Sequence, residues 1–111
     1  MTTNHQAGHD AEQRAADYLA SQGFEVVELN WKTRYCEIDI VAKKAKTIYL
    51  VEVKSRKNSY FGSGFDYITP KKLGQMRFAA EMWVQNHSWS GDYRLAALSV
   101  DASNCTFIDE L

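Results

Sequence analysis

One proline, six glycines and two cysteines in 111 residues are few, and each scarcity excludes something. With 45% hydrophobic and 24% charged residues beside so little proline and glycine, the chain is neither disordered nor collagen-like. No apolar run approaches the roughly 20 residues of a membrane span, and the first 20 residues carry histidines and acids where a secretory signal has its apolar segment. The expectation is a cytoplasmic protein with one domain over 1–111, residues 1–7 forming a flexible lead. Cys36 and Cys105 are too isolated for a disulfide framework or a thiolate zinc site and read as buried strand thiols. Also missing are a glycine-rich phosphate loop before a helix, a GxSxG turn and a CxxC pair, so nucleotide-binding, serine-hydrolase and thiol-redox chemistry have nothing to stand on. His5, His9 and His87 show no metal-ligand spacing and receive no role.

The net charge of −1 hides a segregation. Residues 1–31 hold five acids and only Arg14, and residues 78–111 hold five acids and only Arg94. Between Lys32 and Arg77, eleven Lys or Arg face four acids, a net of +7 in 46 residues. A basic stretch of this kind is either an electrostatic footprint for phosphate or a solvated lysine-rich face.

The pattern along the chain is α/β. Residues 8–22 read as a helix with Ala11, Ala15, Tyr18 and Leu19 on one stripe, Glu12 beside that stripe, and Gly23 as its stop. Phe24–Leu29 reads as a strand, followed by Asn30 and a basic connection. Cys36–Ala42 alternates, which puts Ile38 and Ile40 on one face and Glu37, Asp39 and Val41 on the other. Thr47–Arg56 alternates likewise, with Tyr49, Val51 and Val53 opposite Ile48, Leu50, Glu52 and Lys54. Residues 57–68 read as a surface loop, and Thr69 and Pro70 cap a second helix buried through Leu73, Met76, Ala80 and Trp83. Two closing strands, 93–100 and 105–108, flank an Asp-Ala-Ser-Asn turn.

A hairpin turning at Ala45 and Lys46 pairs Val41 with Leu50, Asp39 with Glu52, and Glu37 with Lys54. Carboxylates starting about 5 Å apart repel by roughly 3 kcal/mol at an effective dielectric near 20. Either solvent at an edge screens the pair, or a divalent cation relieves it. Mg2+ or Mn2+ on Asp39 and Glu52 suits phosphodiester hydrolysis, with Lys54 directing water or offsetting transition-state charge. Glu12 reaches the same ion if its helix packs on this sheet. Arg56, Lys57, Lys71, Lys72 and Arg77 are the candidate phosphate contacts. Tyr60, Phe61, Phe65 and Tyr67 either stack on unpaired bases or cover a sheet edge.

In order, the chain carries GxxAE at Gly8–Glu12, YL at Tyr18, Gly23, Asn30, EID at Glu37–Asp39, VEVKxR at Val51–Arg56, and FG at Phe61, before a helix opening with Lys71 and Lys72. This ordered set resembles the YraN family of predicted endonucleases, itself similar to archaeal Holliday-junction resolvases. The resemblance implies a restriction-endonuclease-like fold, a central mixed β-sheet flanked by helices. It also implies metal ligation by Asp39 and Glu52, completed by the Val53 carbonyl, with Lys54 as the catalytic lysine and Glu12 as the first-helix acid. Two positions depart from the family: Cys36 stands where Gly is usual, and Arg94-Leu95-Ala96 lacks the acid that often follows the arginine by two. The reading is a metal-dependent, structure-selective DNA endonuclease working by activated water, its partners DNA and, as in the resolvases, a second copy of the chain. The rival is a catalytically silent nucleic-acid-binding or protein-interaction module on the same fold.

Overall fold

The computed structural model describes residues 4–56 and 65–111, residues 4–9 as helical backbone only. Its elements run α1 (Asn4–Ser21), β1 (Glu25–Lys32), β2 (Glu37–Lys44), β3 (Thr47–Ser55), α2 (Pro70–Asn86), β4 (Asp92–Val100) and β5 (Cys105–Ile108). The strands form one sheet in sequence order, antiparallel except for the parallel β3–β4 pair that α2 connects. Helix α1 begins four residues before the expected start, and Gly23 ends it at φ 90°, a conformation that favours glycine. At α2 the Thr69 side chain accepts the Lys72 N–H, and Pro70 occupies the first turn as the sequence requires.

Each helix covers one face of the sheet. The α1 layer joins Ala11, Ala15, Ala16 and Leu19 to Ile40, Ala42, Val51, Ala96, Leu98 and Val100, and alanine on the helix lets its backbone lie close to the strands. The α2 layer joins Ala79, Ala80 and Trp83 to Ile38, Val41, Ile48 and Leu50. Strand β4 is covered on both sides, which explains its unbroken buried run from Ala96 to Val100. Edge strand β1 continues through Asn30 to Lys32, further than the expected end at Leu29, and carries a bulge at Val27.

The β2–β3 hairpin has the expected register, Val41 opposite Leu50 and Lys44 opposite Thr47, around Ala45 at φ 56°. Alternation in β2 does not hold to its start. Ile40 belongs to the α1 layer while Ile38 and Val41 belong to the α2 layer, so Ile38 and Ile40 do not share a face as their spacing suggested. The pairing of β2 with β3 ends at Ile40 and Val51. Beyond it β2 stays bonded to β1 through Ile38 and Glu37, and β3 stays bonded to β4 through Ser55. The sheet therefore divides into two ribbons from this point.

Candidate active site

Asp39 and Glu52 are the residues at which the ribbons separate. Asp39 does not face Glu52 across a continuing ladder, as the hairpin register extended would have it. Instead its Oδ2 accepts the Val53 N–H at 2.8 Å, a side chain taking the place of a strand partner. Because a strand residue presents its N–H and C=O to the same neighbour, the Val53 carbonyl lies on this side too. Burial, then the charge of Glu52, push the Asp39 carboxyl up to about 7 against the lowering effect of the Val53 bond; Glu12 and Glu37 add to the rise. Glu12, on α1, thus joins the acid cluster from the opposite layer.

Two lysines answer these acids in different ways. Lys72 Nζ lies 2.9 Å from Glu52 Oε1. Lys54 is exposed, its ammonium 5.5 Å from the centre of the Tyr67 ring. Tyr67 is pressed beneath it, its hydroxyl buried without a hydrogen-bond partner. Burial, Glu52 and Asp39 all push the Tyr67 phenol up. Tyr67 thus lies against Lys54 of the central strand β3; Tyr60 and Phe61 lie outside the described residues, as does Lys57.

The remaining basic candidates disperse. Lys71 is exposed in the first turn of α2. Arg56 donates its backbone N–H to the Val100 carbonyl and lies near enough to Asp101 to help hold that carboxyl below its usual range, after the Ser103 and Asn104 N–H groups and Arg14. Arg77 lines a separate cleft with Arg94, Asp109 and Glu110, so it does not join the carboxylates. At the hairpin's far end Lys43 lies over Trp89, and Lys44 lies over Phe24 and donates to the Gln22 carbonyl. Strand β3 carries these two ends about 23 Å apart at 3.3 Å per residue, so the +7 stretch is not one continuous face. Arg94, which lacks the family's following acid, meets Asp109 at 3.8 Å instead.

Nothing in the sequence pointed to the pairing of Lys72 with Glu52, because α2 reaches the sheet only in the folded chain. The same is true of Glu28, whose Oε1 accepts from Trp83 Nε1 at 3.1 Å and lies 3.2 Å from His87 Nε2. His87, given no role in sequence, closes the end of α2 by stacking on Trp83 at 4.1 Å.

Among the described residues no group of three Asp, Glu, His or Cys is close enough to hold an ion alone. Two carboxylates and a backbone carbonyl, with remaining positions left to water and phosphate, nevertheless suit a hard octahedral cation such as Mg2+, which keeps several waters. The Asp39 carboxyl is raised first by burial and then by the neighbouring Glu52, Glu12 and Glu37 charges, both of which a bound cation would offset. That donor set fits a divalent cation.

Residues 11–102 match the profile of UPF0102, an uncharacterised protein family. The chain belongs to this family. UPF0102 relatives include one from Syntrophomonas wolfei, 39% identical over 83 residues that cover 75% of this chain and 72% of the relative. Another, from Renibacterium salmoninarum, is 36% identical over 101 residues that cover 90% and 86%. Among solved structures, the Holliday junction resolvase Hjc of Archaeoglobus fulgidus superposes with a TM-score of 0.56 at 17% identity, over 88% of this chain and 72% of that one. The restriction-endonuclease-like fold that the sequence resemblance implied is therefore the fold of this UPF0102 protein. No helix among the described residues is long and apolar enough to cross a membrane.

Proposed function

We propose that this UPF0102 protein is a metal-dependent nuclease that hydrolyses phosphodiester bonds in DNA, with branched or single-strand-containing DNA as substrate and Mg2+ or Mn2+ as cofactor. The observation that carries the reading is the Asp39 carboxyl. It accepts the Val53 N–H where two central strands part, grouped with Glu52, Glu12 and Glu37 and beside a lysine with no acid partner among the described contacts; burial first, then those charges, push it up to about 7. A fold needs no such concentration of like charge; a site that receives a cation does.

In this reading Asp39, Glu52 and the Val53 carbonyl hold the ion, with Glu12 behind them. A bound divalent cation supplies an acidified water and polarises the scissile phosphate. The Val53 N–H fixes the Asp39 carboxylate so that one oxygen stays turned away from the strand. Lys54, kept over the Tyr67 ring, presents its ammonium to the phosphate oxygens as charge builds on them. Lys71, exposed in the first turn of α2 next to Lys72, adds positive charge for the nucleic-acid backbone without reading sequence. The fold likeness to Hjc supports a nucleic-acid substrate, and a two-fold dimer would set two such sites against two strands.

That no three such side chains are poised on one ion among the described residues favours the rival, a binding module without turnover. The test is cleavage of labelled single-stranded, duplex, flap and four-way-junction DNA with Mg2+ or Mn2+ by wild type, Asp39→Ala and Lys54→Ala. The nuclease reading expects metal-dependent cutting that both substitutions abolish. Binding that survives both, with no cutting on any substrate, establishes the module instead.

A further inference from the structure

Lys72 has a position that ligation by Asp39 and Glu52 does not require. Its ammonium pairs with Glu52 at side-chain exposures of 32% and 19%, so the pair is neither sealed nor fully wet. Its backbone N–H is anchored to Thr69 at the start of α2, while its four-carbon arm remains able to turn. The pair borders a cleft of about 490 Å³ also lined by Tyr35, Glu37, Gln75 and Phe78. Among the described ion pairs, this ammonium is the one bonded to the acid cluster, while Lys54 is turned over Tyr67.

We propose that Lys72 exchanges partners when a divalent cation binds: displaced from Glu52, its ammonium turns into the cleft and seats a phosphate of the nucleic-acid strand. Cation and nucleic acid then bind with positive coupling through one side chain. The inference rests on the metal-dependent reading above. A dication outcompetes a monovalent ammonium for a carboxylate, and two cations on one carboxylate repel. The cleft gives the displaced arm room, and a phosphodiester entering it offers two charged non-bridging oxygens to the ammonium. Binding of either ligand consequently raises affinity for the other, as linkage requires.

Calorimetric titration of Mn2+ into the metal-stripped protein tests the first half. Lys72→Gln removes the competitor, so Mn2+ binds about three- to fivefold tighter than to wild type, the scale of a partly exposed ion pair. Lys72→Arg keeps the competitor and binds Mn2+ no tighter than wild type, which separates displacement from general loosening; thermal melts establish that both variants are folded. Anisotropy of a fluorescein-labelled single-stranded oligonucleotide, in EDTA or Ca2+ at constant ionic strength, tests the second half. Ca2+ tightens its binding to wild type about fivefold and to Lys72→Gln by clearly less, the remainder being the direct contact of cation with phosphate. Unchanged Mn2+ affinity in Lys72→Gln overturns the exchange. Tighter Mn2+ binding with full coupling retained overturns the phosphate seat and leaves Glu37 as the destination. No Mn2+ uptake by wild type overturns the metal reading itself, and the exchange with it.

Discussion

Replacing Asp39 by Asn tests whether this site carries unrelieved charge, because the change removes ionisation while keeping an oxygen to accept the Val53 N–H. In the folded chain the Asp39 carboxyl is raised from 3.8 to about 7. Between those values the unfolded chain has released the proton and the folded chain still holds it, so stability falls as pH rises through this window and levels off above it. A shift of about three units at roughly 1.4 kcal/mol each sets an upper limit near 4 kcal/mol, and relaxation around the charged form brings the expectation to about 2–4 kcal/mol. Urea unfolding in EDTA, followed by fluorescence of Trp31, Trp83 and Trp89, measures this between about pH 4.5 and 8.5. Asp39→Asn and wild type should be of similar stability at the acid end, and the variant more stable by that margin at the alkaline end. Saturating Mg2+ should narrow the gap, since only wild type gains a full ligand set. A difference that does not vary with pH would refute the reasoning, because Asp39 would then titrate as an ordinary surface acid.

Ala45 holds the hairpin turn at φ 56°, where a side chain costs roughly 1–2 kcal/mol. Ala45→Gly should therefore stabilise the fold by up to about 1 kcal/mol after its extra chain entropy is counted, read as a raised urea midpoint at constant slope. Tyr67→Phe removes a buried hydroxyl that has no partner but keeps the ring under Lys54, and should raise stability by about 1 kcal/mol. A loss of stability on that change would show that the hydroxyl is bonded in solution.

Much of this architecture can be read from residue order. Alternation in Thr47–Ser55 assigns Tyr49, Val51 and Val53 to one layer and Ile48, Leu50 and Glu52 to the other, as observed. The Val41–Leu50 register follows from a tight turn at Ala45. Helix signals at Gly23, Thr69 and Pro70 also hold, because caps are local chemistry. What sequence misplaces is set by distant partners. Ile38 turns to α2 because β2 follows β1 where it leaves β3, and no two-residue period can encode that departure. Charge summed along 32–77 suggested one basic face, yet Lys44 of β2 lies opposite Thr47 at the start of β3 and Lys54 lies near its end. The acids of the site were legible as Glu12, Asp39 and Glu52, whereas the pairing of Lys72 with Glu52 depends on where a crossover helix lands.

The early end of the β2–β3 ladder has a mechanical consequence. Past Ile40 and Val51, β2 keeps its pairing with β1 and β3 keeps its pairing with β4, so Asp39 and Glu52 are held by different strand partners. No β2–β3 ladder pair is described beyond that point, so the link between the strands there is the Val53 N–H that Asp39 accepts, beside the packing of α1 and α2 and the Lys72–Glu52 pair. Substitutions in the Thr33–Cys36 connection, which closes by the Thr33 N–H to the Cys36 carbonyl, would then reset the gap from the β2 side while leaving Glu52 and Lys54 in place.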